Sequence, residues 1–319
     1  MPRISSRASV SFVLAAVVAG WLTSVASAGI EPLPQFVGTE VAQDEILDVI
    51  ASARSRSFKP VGHSSVVLRM RTVARVTAAL RVRTHQMQRG YQHEIAAYRV
   101  SRMLGLDNVP PVVYRRATWN EIRQRFHDDM LDQRASIRRA VLWDADGSAP
   151  GAAIYWVKGL RSVGLENEAR WQSWLQDGEV PVGKAALARD LSTMRVFDFL
   201  IGNWDRFSGG NLPTDSSQQR GILRDNDRSF STPLLKRRYE KLLEGLTLTQ
   251  RFSKDVVRHL EALDEASFRA ELARDPSHRT DPLLSDGQIA DVLDRRATIL
   301  SYIAALIEER GEDEVLFFP

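Results

Sequence analysis

The chain has 319 residues, 44% of them hydrophobic and 26% charged, and no cysteine. That balance belongs to a globular chain long enough to bury a large core. It excludes a disordered polypeptide, a disulfide framework and a thiolate-ligated metal. The formal net charge is +3. The first 28 residues carry two arginines and no acid, so the remainder stands at +1, too near neutral for a nucleic-acid footprint.

Residues 1–28 read as a secretory signal. Arg3 and Arg7 precede an apolar run from Val10 to Ala26, and Ala26-Ser27-Ala28 puts small residues at the cleavage positions. An uncleaved anchor is the alternative, because the run approaches a short span. Cleavage predicts an exported chain with no stable membrane insertion. Its place is periplasmic or extracellular in a bacterium, which the cysteine-free composition favours, and a secretory-pathway lumen in a eukaryote.

Residues 29–42, with Pro32 and Pro34, predict an extended leader. Apolar spacing at Ile46, Leu47 and Ile50 predicts a helix over 44–54. Ser64–Arg71 and Thr72–Val82 read as strands, Gln92–Leu104 as a helix stopped by Gly105, and Val109–Tyr114 as an edge strand. Trp119–Arg139 reads as one charged amphipathic helix. Val141–Trp143 and Ala152–Val157 bracket a hairpin turn at Asp144–Gly147. Beyond that the pattern is mostly helical: Ala185–Ile201, Leu234–Leu246, Ser253–Leu263, and Ser285–Glu309 with Ser285 as its N-cap. A loop over 202–217 and a short strand, Gly221–Leu223, interrupt it. The plan is α+β: an N-lobe over 43–158 rich in sheet and a helical C-lobe over 159–319, with a cleft between them as the natural ligand site.

The informative stretch runs from Val196 to Asn211. A buried helix ends there and delivers Asn203, Asp205, Arg206 and Asn211 into a loop, and Asp225-Asn226-Asp227 follows behind the short strand. Phosphoryl transfer requires a carboxylate that orients the attacking hydroxyl, a second that holds a divalent metal, and often an amide oxygen to complete the metal shell. Asp205, Asp225 and Asn211 supply that set. An Asp-rich surface turn is the plainer reading of Asp205 alone.

The segment Phe197-Asp198-Phe199-Leu200-Ile201-Gly202-Asn203-Trp204-Asp205-Arg206 resembles the catalytic motif of secretory-pathway kinases of the Four-jointed and Golgi casein kinase type, and more distantly HipA-like and phosphoinositide-kinase-like proteins. Asp225-Asn226-Asp227-Arg228-Ser229-Phe230 is similar to their metal element. The helix around Glu94 with Val109-Pro110-Pro111, and the helix from Leu283 to Ile307, support the likeness, which spans about Val76 to Ile307. The resemblance implies a two-lobed kinase-like fold, ATP with Mg²⁺ or Mn²⁺, Asp205 as base, and Asp225 with Asn211 on the metal. It also implies Glu94 paired with a cation that reaches the phosphates. Arg81 takes the place of the usual lysine, with Lys59 as its rival.

Other departures are Asn211, which lies one residue further from Asp205 than is common, and Asp227 in place of a closing glycine, a candidate second-metal ligand. Tyr155–Gly159, with Trp156, Val157 and Lys158 at its centre, reads as the hinge that touches adenine, or as an ordinary strand end. The implied activity is transfer of the γ-phosphoryl of ATP to a Ser, Thr or Tyr hydroxyl of a protein. The alternatives are a pseudokinase kept as a binding module and a small-molecule or lipid kinase on the same scaffold.

Overall fold

The N-lobe is an antiparallel sheet whose strands lie in the spatial order β1-β2-β3-β5-β4: β1 Ser55–Val61, β2 Val67–Thr72, β3 Thr77–Val82, β4 Val112–Thr118 and β5 Ser148–Tyr155. The computed structural model describes residues 35–62 and 65–319. The signal reading of 1–28, the leader up to residue 34 and Ser64 of the expected strand Ser64–Arg71 lie outside the described residues. Where the leader is described, it is docked: Phe36 is buried and meets the Tyr155 ring edge-on with centroids 5.8 Å apart. Helix α1, Gln43–Ser52, buries Ile46, Leu47 and Ile50 as its spacing predicts.

Registry sets the cleft face of the sheet, because residues directly opposite each other in a ladder share a face. Val67 and Ala152 lie opposite Arg81; Arg69 and Ile154 lie opposite Ala79; Lys59 lies opposite Arg69. Gly151 permits the close approach of β5 to β3. A Cβ there would sit 2.6 Å from the Arg81 carbonyl oxygen. Helix α2, Gly90–Met103, packs on β3, β4 and β5 and ends as expected, with Gly105 at φ +68°.

Sequence and structure part company at several places. β1 was not anticipated, since Arg56, Lys59 and Pro60 dilute its pattern; as an edge strand it tolerates the proline. The turn at 73–76, with Arg75 at φ +64°, divides the expected strand Thr72–Val82. The single helix expected over Trp119–Arg139 is three pieces: α3 Trp119–Gln124, a 3-10 segment Asp128–Gln133, and α4 Arg134–Ala140. Between the first two, the chain is drawn against β1. The Phe58 amide donates to the Arg125 carbonyl and the His127 amide to the Phe58 carbonyl, both at 2.8 Å, and Phe126 is buried. A helix cannot continue through that extended bridge. The turn at Asp144–Gly147 is present, but β5 pairs with β3 and β4 rather than with 141–143, whose Val141 bridges Thr84.

The C-lobe is helical: α5 Ala185–Ile201, α6 Lys236–Thr247, α7 Lys254–Ala262, α8 Glu265–Leu272, α9 Asp286–Arg310 and α10 Glu312–Val315. Ser285 caps α9 in a reciprocal capping box with Gln288. Helices α8 and α10 were not anticipated; each is shorter than a reliable periodic signal. Helix α5 is buried almost all round, and three of its buried polar side chains show how they are partnered. Asp190 meets Arg220, Ser192 donates to the Arg251 carbonyl, and Asp198 meets Arg206. Among the described residues, no helix is long and apolar enough to cross a membrane.

Phe197 lies in the C-terminal half of α5 and has no exposed surface. Phe197→Ala is expected to cost about 3–5 kcal/mol, the range for emptying a buried aromatic site, read as a lower midpoint in denaturant titration.

Candidate active site

Helix α5 ends in a Schellman motif. Gly202 takes φ +69°, its amide donates to Phe199, and the Asn203 amide donates to the Asp198 carbonyl at 2.8 Å. This turn carries Asn203, Trp204 and Asp205 off the helix axis, with Asn203 on Asn226 and Trp204 against the Arg238 guanidinium of α6. The Asn203 Oδ1 accepts the Asp205 amide at 3.2 Å, and the Asn211 Nδ2 donates to the Asp205 carbonyl at 3.1 Å. The backbone of Asp205 is therefore fixed from both sides, while among the described residues its half-buried carboxylate accepts only the Ser208 hydroxyl, at 2.7 Å. The extra residue before Asn211 is absorbed by Gly209 and Gly210, both at positive φ.

The metal segment is placed by a second set of contacts. The Gly221 amide donates to Asp190 at 2.9 Å, and Asn108 accepts from the Leu223 amide and donates to the Gly221 carbonyl. The strand expected at Gly221–Leu223 is reduced to one bridge with Thr214, because its other bonds go to Asn108 and Pro213. Asp225 then adopts φ +61°, an uncommon conformation for a residue other than glycine.

Arg206 joins the two segments. Its guanidinium is 1% exposed and takes the Asp198 carboxylate through Nε and Nη2. It also donates to the carbonyls of Asn211 and Arg224 and to Asn226 Oδ1, the last at 2.6 Å. Asn203 Nδ2 reaches the same Asn226 oxygen at 3.2 Å. The neighbours of Asp205 thus hold the neighbour of Asp225. Burial raises the Asp198 pKa, against the pull of Arg206.

From the sheet comes Arg81. Its Nε lies 3.3 Å from Glu94 on α2, its Nη2 donates to Asp225 at 2.7 Å, and its Nη1 donates to Asp227 and reaches Ser65 at 3.4 Å. The Nε–Glu94 contact is an ion pair without a hydrogen bond, for neither Nε nor Glu94 Oε1 has a partner. Glu94 Oε2 accepts the Asn226 amide at 3.2 Å. Three carboxylates face one guanidinium. Burial, with the mutual repulsion of the acids, pushes the Glu94 and Asp227 pKa values up, and Asp205 adds to the effect at Asp227. Burial lowers the Arg81 pKa, but the three acids outweigh it and leave it raised. Lys59 does not join this cluster: its ammonium lies 3.9 Å from Asp129.

Trp156, Val157 and Lys158 follow β5 where the sheet passes into the helical lobe. The Trp156 amide donates to the Thr77 carbonyl at 3.0 Å, and Arg69 sits 5.7 Å from its ring centre. Among the described residues no hydrogen bond or ion pair joins these three to the Arg81 cluster.

Sequence reasoning passed over Asp198, the acid that anchors Arg206, although an aspartate within an otherwise apolar helix run was a legible signal. It also passed over the roles of Asn226 and of His93. His93 Nδ1 is 3.1 Å from the Asp227 carbonyl, its Nε2 is 3.4 Å from Gln288 Nε2, and its ring meets Phe230 edge-on.

An Mg²⁺ or Mn²⁺ ion suits the donors present. Asp225 is a half-exposed carboxylate. Asn211 spends its amide N–H on Asp205, so its Oδ1, which accepts no hydrogen bond from the described residues, is left as a ligand. Among the described residues no three acidic or histidine side chains form a metal cage of their own. Such ions are commonly held by one or two protein oxygens together with the phosphates of a nucleotide.

With this geometry in hand, the chain can be set beside known proteins. No family model matches its sequence, and no curated protein matches it. Its fold does match solved structures. The Golgi casein kinase with Mn/ADP bound superposes with a TM-score of 0.63 at 16% identity, covering 86% of this chain and 78% of that one. A hydra Fam20 with sugar superposes with a TM-score of 0.64 at 18% identity, covering 88% and 93%. The chain therefore has a kinase-like α+β fold similar to that of the Fam20-type kinases.

Burial lowers the His93 pKa from 6.5 to about 4. As pH falls from 6.5 toward 4, the unfolded chain takes up a proton that the folded ring refuses, so stability is lost across that window and levels off below it. The loss is at most about 1.4 kcal/mol per pH unit. Denaturant midpoints measured from pH 7 to 4 should fall less steeply for His93→Gln than for the unaltered protein.

Proposed function

We propose that the protein is an exported, metal-dependent kinase that transfers the γ-phosphoryl of ATP to a protein Ser, Thr or Tyr hydroxyl. The observation that carries this reading is the convergence of Asp205 and Asp225, held together through Arg206 and Asn226, beneath an Arg81 that is paired with a buried helix glutamate. The kinase-like fold, the Mn/ADP bound to a structural neighbour and the signal-like residues 1–28 support it.

In this reading Arg81 contacts the nucleotide phosphates and Glu94 supports it from behind. Asp225 and Asn211 hold Mg²⁺ or Mn²⁺, which supplies charge neutralisation at the phosphates. Asp205 orients the acceptor hydroxyl and takes its proton. Its backbone is held by Asn203 and Asn211, which limits the reorganisation its carboxylate needs. The segment around Trp156, Val157 and Lys158 borders the base. Transfer makes one P–O bond to the acceptor and breaks the bond to ADP, and the hydroxyl proton passes to Asp205.

One observation favours a second reading, a nucleotide-binding module without transfer. The cation at the lysine position is already engaged by Asp225 and Asp227, and a guanidinium is not a neutral replacement for an ammonium at a phosphate site.

Transfer from labelled ATP in Mn²⁺ to a panel of protein, lipid and small-molecule acceptors separates these readings. On the kinase reading, Asp205→Ala abolishes transfer and leaves ATP affinity nearly unchanged, because a base acts in the chemical step. Asp225→Ala weakens metal-dependent ATP binding itself. Transfer at the original rate by both variants would show that the site is misassigned; ATP binding with no transfer to any acceptor would select the binding module.

A further inference from the structure

We propose that Asp227 is a positioning residue for Arg81, holding one corner of its guanidinium so that Nη2 is presented to the phosphates of a bound nucleotide. This rests on the nucleotide reading above and goes beyond it, because it joins two departures from the usual kinase pattern, arginine for lysine and aspartate for glycine, into one device.

The argument is geometric. A guanidinium has three nitrogen corners in a rigid plane, so it can be held by two and present the third; an ammonium on a flexible stem cannot be fixed in that way. Two corners of Arg81 face buried carboxyl groups. Nε faces Glu94, whose side chain is 1% exposed, and Nη1 donates to Asp227, which is 7% exposed. The third corner, Nη2, faces Asp225, which is 36% exposed and therefore on the open side of the cluster. Asp227 is itself anchored from behind. Its carbonyl meets His93 Nδ1, and His93 and the Phe230 carbonyl both contact Gln288 on α9. The clamp is thus built on helices α2 and α9 rather than on a free loop. Nη2 donates to Asp225 at 2.7 Å.

The rival role for Asp227 is as a second metal ligand. Its Oδ2 is taken by Arg81 and its Oδ1 lies 4.0 Å from Arg228 Nε, so both oxygens face cations.

Titration calorimetry of ADP in the presence of EDTA tests the proposal, because no metal enters. Removal of a negative charge by itself strengthens binding of the ADP anion, whereas loss of positioning weakens it, so the sign of the change decides. Asp227→Ala is expected to bind ADP about tenfold more weakly, the scale of one charge-assisted hydrogen bond, with adenosine affinity unchanged. In an Arg81→Lys background the same substitution should cause no further loss. Asp227→Asn keeps the shape and one acceptor oxygen; it should give an intermediate loss, and it carries the test should the alanine variant not fold. Unchanged or tighter ADP binding by these variants, or an equal loss for adenosine and ADP, overturns the proposal and leaves the nucleotide site standing. No ADP binding by the unaltered protein in EDTA overturns the proposal alone; no ADP binding with Mn²⁺ present overturns the nucleotide reading as well.

Discussion

One buried guanidinium, that of Arg206, holds the candidate site in shape. It pairs with Asp198 near the end of α5, and its remaining donors tie the Asp205 loop to the Asp225 segment. A buried ion pair of this kind contributes little net stability over an apolar pair, since desolvation cancels much of the attraction. Its consequence here is geometric. Because every donor of Arg206 is committed, the two segments have one mutual arrangement, and the functional carboxylates inherit it.

The second charged centre has a different character. Arg206 faces one carboxylate and neutral oxygens; Arg81 faces three carboxylates. The first arrangement is balanced and rigid. The second sets three acidic side chains around one guanidinium, with Asp225 on its exposed side, which is the environment that a divalent cation and a phosphate group together would complement. That contrast between a neutral scaffold and an unbalanced centre is the physical case for placing a ligand at Arg81 rather than elsewhere in the lobe. The fold itself, shared with kinases at low identity, is compatible with activity and with its loss alike.

The sequence made long periodic elements legible. Helix α5 was read with its observed bounds, and α2 and α9 nearly so, because their apolar stripes and their Gly105, Gly202 and Ser285 signals agree with one another. It failed where tertiary pairing overrides local preference: at β1, whose strand depends on β2; at 125–127, where β1 captures the backbone; and at 221–223, whose bonds go to Asn108. At the site, the candidate residues Arg81, Glu94, Asp205, Asn211 and Asp225 were legible as chemistry. Asp227 was legible as an acid but not as a partner of Arg81; that contact, like those of Asn226 and His93, joins residues far apart in sequence, which no local spacing reveals. The hinge reading of Trp156 to Lys158 rested on position alone, and no polar contact ties it to the site.

The central claim is that the Arg81–Asp225 cluster is a metal-assisted nucleotide site. The most direct measurement is the thermal midpoint of residues 29–319 at rising ATP concentration, with and without Mn²⁺. A site of this kind predicts a midpoint that climbs with ATP and climbs further when Mn²⁺ is present, as binding to the folded state requires. A midpoint that stays fixed at millimolar ATP under both conditions would contradict it.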